Sequence, residues 1–185
     1  PTIVTIQELF VELSFYQTAD RIALLTELYR CYQQIGNADE SFDDFLFWGE
    51  MLLNDFDDVD KYLIDARQLF RNVRDLKSLE DDKSYLSASQ IEAIRRFWSN
   101  FMSGGLSDSK KKFQETWQIL FELYTSFRSA LETKGWAYEG MTFRYVAEKA
   151  LAKDDFELNA HSYVFVGLNA LTPSEIALME YLRNV

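Results

Sequence analysis

The sequence predicts a mainly α protein, a helical bundle-like segment with one or two short β-strands left from a larger α/β sheet. Three observations carry that prediction. Apolar residues recur at three- and four-residue steps over most of the 185 residues, the spacing of helices that bury one face. Only two prolines, Pro1 and Pro173, punctuate the chain, and proline is the residue that breaks helix interiors. Against this background, Ser162-Tyr163-Val164-Phe165-Val166 reads as a single buried strand that runs through Gly167 to Thr172 into a helix reaching Leu182.

A strand must pair its backbone N–H and C=O groups, and the one candidate partner in this chain is Thr2 to Ile6. The expectation is therefore a piece of a larger α/β protein, starting at Pro1 with its true N-terminus upstream. Residues 1–6 and 162–185 are read as remnants of the α/β core and residues 7–160 as a helical insertion, together forming one helical domain over 1–185.

Taken in order, Ile6 to Phe15 is a short helix with Thr5 as its N-cap, a position that favours a side-chain oxygen. Ile22, Leu25, Leu28, Tyr29, Tyr32 and Ile35 line a second helix that stops at Gly36, where glycine relieves the chain end, and Asn37 to Ser41 is a turn. Phe42 to Leu53 and Val59 to Phe70 are expected as two helices separated by Asp55 to Asp60. Beyond the polar stretch Asp75 to Ser87, the residues Ile91, Ile94, Trp98 and Phe101 mark a helix closed by Gly104-Gly105. Phe113 to Leu131 carries the longest stripe, ending near Gly135, and Thr142 to Ala152 is the last helix before the strand.

With 48% apolar and 16% aromatic residues, the chain is long and apolar enough for one globular domain with a sizeable core. The formal charge is −11 with a pI near 4.6, and residues 39–83 alone hold 14 acidic against 6 basic side chains. Such a surface repels a phosphate backbone, so weak DNA binding is expected of the isolated chain. A single cysteine, Cys31, excludes an internal disulfide and fits a reducing compartment. No run approaches the ~20 apolar residues that span a membrane, and a soluble, cytoplasmic protein with no membrane partner is expected.

The constellations that could carry chemistry are weak. Asp55-Phe56-Asp57-Asp58-Val59-Asp60 spaces carboxylates like the start of a calcium loop, but the sixth position is Asp60 where glycine is needed and the twelfth is Ala66 where a bidentate Glu belongs. A solvated turn is the better reading. His161 reads as a loop residue and Cys31 as packing. Gly104-Gly105 lacks the lysine and the preceding strand of a phosphate loop. Lys110-Lys111-Lys112 beside Trp117 could grip a nucleic-acid strand, yet lysines at a helix start are more often a solvated face. Trp48, Trp98, Trp117 and Trp136 are dispersed, as core aromatics are. No catalytic residue, cofactor site or metal site is expected.

Three segments nevertheless form a pattern: Ser41 to Leu63 (SFDDFLFWGEMLLNDFDDVDKYL), Gly135 to Met141 (GWAYEGM) and Val164 to Thr172 (VFVGLNALT). In this order they resemble the AddB-like helicase-nuclease proteins of Bacteroidetes-type bacteria, inactivated superfamily 1 helicases fused to a C-terminal PD-(D/E)XK nuclease. The resemblance implies that the helices form a 1B-type insertion of a helicase-like domain, packed on the motor core beside the DNA path. It also implies that Gly167-Leu168 stands where an active helicase ends its strand in an Asp-Glu pair, so Mg²⁺ and ATP chemistry is lost. Thr5 then matches a threonine that touches the DNA backbone, although it is equally a plain N-cap.

The function implied is a non-catalytic segment of a double-strand-break repair and recombination exonuclease subunit. Its partners would be the remainder of the parent helicase-nuclease and its motor subunit, with DNA only in the full complex. The alternative is a free-standing all-α protein–protein interaction module.

Overall fold

The computed structural model describes residues 2–35, 41–74 and 108–184, the side chains of 71–74 and 108–118 excepted. The expected mainly α architecture is observed. In chain order the elements are α1 (Ile6–Glu12), β1 (Gln17–Thr18), α2 (Arg21–Ile35), α3 (Phe42–Lys61), α4 (Ala66–Arg74), α5 (Asp108–Lys134), β2 (Trp136–Ala137), α6 (Glu139–Ala152) and α7 (Pro173–Asn184). The expected polar stretch at 75–87, the helix over Ile91 to Phe101 and the Gly104-Gly105 stop lie outside the described residues.

Local chemistry explains most of the helix ends. Thr5 caps α1 through a reciprocal pair: its hydroxyl accepts from the Glu8 N–H at 3.2 Å, and its own N–H donates to the Glu8 carboxylate at 2.6 Å. Ser41 accepts from Asp44 N at 3.2 Å to start α3, and α5 gives way to Gly135 at a φ of 67°. Thr172 and Glu175 repeat the reciprocal pair at the start of α7, with Pro173 at the first helical position.

The break expected at Asp55 to Asp60 is not there. One continuous helix runs from Phe42 to Lys61, and the turn comes later, over Tyr62 to Asp65. The stop was hidden because it uses no glycine. Leu63 takes the left-handed conformation at φ 53°, while Ile64 N–H reaches back to Val59 O at 2.9 Å and Leu63 N–H to Asp60 O at 3.1 Å, a Schellman-type closure. Ile64 is buried beneath it.

The strands also differ from expectation. Tyr163 to Val166 and Ile3 to Thr5 are not in a sheet; both are irregular. The one sheet among the described residues is parallel, two residues per strand, with Gln17 opposite Trp136 and Thr18 opposite Ala137. It ties the link between α1 and α2 to the link between α5 and α6.

Two apolar clusters result. The larger joins α2 to α5 and is centred on Leu28, Phe45, Phe56, Leu123 and Phe127, all fully buried. The smaller packs α1, α6 and α7 around Phe10 stacked on Phe143 at 3.9 Å, with Val146 and Leu178, and receives Tyr163 and Phe165 from the extended chain.

Candidate functional site

The polar feature that organises the interior is Asp60, near the C-terminal end of α3. It lies on the buried face of that helix, following Phe45, Gly49, Leu52, Leu53 and Phe56 at helical steps, and it is completely buried. Its carboxylate accepts from Arg128 Nη1 at 3.0 Å, from Arg144 Nε at 2.6 Å, and from the hydroxyls of Tyr124 and Tyr138 in short hydrogen bonds. Arg144 also donates to Val59 O at 2.9 Å and Ile64 O at 2.7 Å, clamping the turn that closes α3. Three helices, α3, α5 and α6, therefore meet on one carboxylate.

Charge and burial act together on the donors. Burial pushes both phenols upward, and the Asp60 charge adds to it, so Tyr124 and Tyr138 remain protonated donors. For Arg128 burial is the largest influence and opposes the charge, but the Asp60 carboxylate and the phenols of Tyr124 and Tyr138 together outweigh it and hold the guanidinium charged. Three of the four donors converge on Oδ1 and the Tyr138 hydroxyl takes Oδ2, so the buried carboxylate is engaged at both oxygens. It is a latch.

The same end of α3 receives two more elements. Asp57 accepts from the Gly140 N–H at 2.6 Å, at the start of α6, and pairs with Lys61 at 2.7 Å. Gly140 is required there: a Cβ would stand 2.2 Å from the Asp57 carbonyl oxygen. Ser174, buried in the first turn of α7, donates to Lys61 O at 2.7 Å. In this way α7, and the extended chain leading into it, is fixed to the latch region.

That chain is a candidate contact surface. From residue 155 to 171 no backbone hydrogen bond is formed among the described residues. Around 163–166 the side chains alternate: Tyr163 and Phe165 pack on the smaller cluster, whereas Val164 and Val166 are each 86% exposed. Gly167 follows at φ 77°, and Leu168 is half exposed.

The expected site residues fall as follows. Thr5 is exposed, and its hydroxyl is engaged with the Glu8 carboxylate at 2.9 Å. Gly167 and Leu168 lie on the exposed loop rather than at the end of a paired strand. Asp55, Asp57, Asp58 and Asp60 sit within α3 and point to different surroundings, since helical spacing spreads them around the axis. His161 is exposed in a bend and Cys31 is buried in α2, as expected. The side chains of Lys110 to Lys112, Trp98 and Trp117 lie outside the described residues; Trp48 and Trp136 pack against the larger cluster. The Asp60 latch was missed, although its signal was present as an aspartate on an apolar stripe.

No described helix is long and apolar enough to cross a membrane. Comparison with protein families, with curated proteins and with solved structures finds no match to this chain.

Proposed function

We propose that this chain is a non-catalytic docking segment: a helical body, held rigid by the Asp60 latch, that presents the extended run around residues 162–168 to another polypeptide layer. The observation that carries this reading is that run. Apolar on both faces and, among the described residues, unpaired along its backbone, it resembles a strand prepared to join an α/β sheet. Phe156, Tyr163 and Phe165 of the irregular run 155–171 pack on the smaller cluster, and residues 2–5 lead into Ile6, which packs on it as well, a layout that suits a helical insertion between two strands of a core.

Within the resemblance to AddB-like helicase-nucleases, this is the role of a 1B-type insertion. It shapes the DNA channel or docks the motor subunit, while nuclease chemistry resides elsewhere in the parent. Thr5 then contributes little to DNA binding, because the Glu8 carboxylate beside its hydroxyl repels a phosphate.

The test is the complete gene product. An exonuclease acting on linear duplex DNA in the presence of ATP and Mg²⁺ is expected, with residues 7–160 needed for duplex degradation and dispensable for cleavage of single strands. A gene product with no nuclease activity overturns the repair reading. The second reading, a free-standing interaction module, is favoured by one observation: the larger cluster closes on itself without the extended run.

A further inference from the structure

We infer that residues 162–166 form an open strand edge that accepts one β-strand of uncharged, β-branched sequence from a polypeptide outside this chain. The inference rests on the docking reading above and names the partner of that surface. Three independent features converge on it. The backbone N–H and C=O groups there have no partner among the described residues. Side chains alternate between packed and exposed with the period of a strand. And the segment itself carries no charged side chain.

The third feature identifies the occupant. From Leu158 to Ser174 there are 17 consecutive residues without Asp, Glu, Lys or Arg, the longest such run in a chain that is 26% charged. Exposed strand edges are normally guarded against pairing by lysines, prolines or inward-pointing charges. This edge has none of these guards, and its outward positions are Val164 and Val166. A charged partner strand would lose hydration there without gaining a counter-charge, whereas a neutral β-branched strand matches both the backbone groups and the valines. The edge is also held in place: Tyr163 and Phe165 anchor one side, and the capped start of α7 fixes the other through Ser174 and Lys61 O. Adding a strand to it therefore costs little ordering.

The experiment uses the 185-residue chain and a synthetic peptide of six alternating valine and threonine residues with two lysines at each end. The control peptide has the same ends and proline at alternate positions, so it keeps charge and apolarity but loses the N–H donors. Amide-resolved hydrogen exchange by NMR is the readout. Saturable protection of every second amide over 162–166 is expected, because alternate N–H groups of a strand point to one edge. The proline peptide should give none, and Val164→Lys with Val166→Lys should weaken binding at least tenfold. Both valines are exposed, so that variant folds.

The inference is overturned if these amides are already protected without peptide, or if no protection appears up to about 1 mM peptide, where even a contact of about −4 kcal/mol would register. Equal binding of the two peptides also overturns it. Strand pairing in a protein whose complete form lacks nuclease activity leaves the edge standing and removes the repair reading; nuclease activity without pairing does the reverse.

Discussion

Replacing Asp60 with asparagine tests the latch directly. The substitution keeps size and shape but removes the single negative charge shared by Arg128 and Arg144, whose side chains are only 20% and 12% exposed. Removing one member of a buried ion pair costs about 3–5 kcal/mol, because the remaining charge is left buried without compensation. Here two guanidiniums are stranded, although Arg144 retains its bonds to Val59 O and Ile64 O, so the same range is expected rather than a doubled one. With a urea dependence of about 2 kcal/mol per molar, the unfolding midpoint should fall by about 1.5–2.5 M. Far-UV circular dichroism in urea measures it. Adding Arg144→Met should recover part of the loss, a coupling of about 1–3 kcal/mol in a double-mutant cycle. A fall of less than about 1 kcal/mol, or strict additivity of the two substitutions, would refute the assignment of Asp60 as the charge that holds α3, α5 and α6 together.

Asp55 titrates in the opposite sense to most carboxylates. Burial first, then the neighbouring Asp58 charge, raises it from 3.8 to about 7. The folded state therefore holds its proton more tightly than the unfolded state, and the associated stability is full below about pH 4 and lost as pH rises through about 7. The whole shift corresponds to about 4 kcal/mol; because Asp55 is only half-buried, about 1–2 kcal/mol is expected, with Asp55→Asn more stable than the parent at pH 8 and little changed at pH 4 in urea titrations. Gly140→Ala should cost about 3 kcal/mol or more, since its Cβ meets backbone that cannot yield, and a thermal shift of less than about 3 °C would show that α3 and α6 separate easily. In calorimetry with Mg²⁺·ATP the isolated chain should give no saturable heat. By fluorescence polarisation it should bind duplex DNA only at weak, non-specific levels in physiological salt, since −11 charges oppose phosphate; a sub-micromolar dissociation constant would contradict the docking role.

The helical class was legible because its cause is periodic. Ile22 to Ile35 and Phe113 to Leu131 repeat apolar residues at the helical step, and helices cover both, α2 from Arg21 and α5 from Asp108, although Ile22, at the head of the first stripe, is exposed. What misled was local chemistry with two meanings. The carboxylates from Asp55 to Asp60 look like a solvated turn, but only Asp60 faces the core, and its cost is met by arginines and tyrosines 64 to 84 residues away. No local window contains that information. Similarly, the end of α3 at Leu63 bears no glycine, because packing of Ile64 and the Arg144 clamp offset a left-handed leucine, at about 1–2 kcal/mol. The strand-like character of 163–166 was real in its alternation, yet sheet formation depends on a neighbour that a sequence segment cannot specify.

The long sequence separation of the Asp60 partners has a bearing on the order of folding. As the chain leaves the ribosome, α3 emerges with a carboxylate at the C-terminal end of its apolar stripe, and the cations that neutralise it follow only at residues 128 and 144. Until then the end of α3 cannot be buried without stranding a charge, so premature collapse onto α2 is disfavoured at that end. When α5 and α6 arrive, a slip of either by one turn would seat its arginine away from Asp60 and leave an uncompensated ion inside. The carboxylate thus acts as a checkpoint on assembly, accepting one register of three helices and rejecting its neighbours.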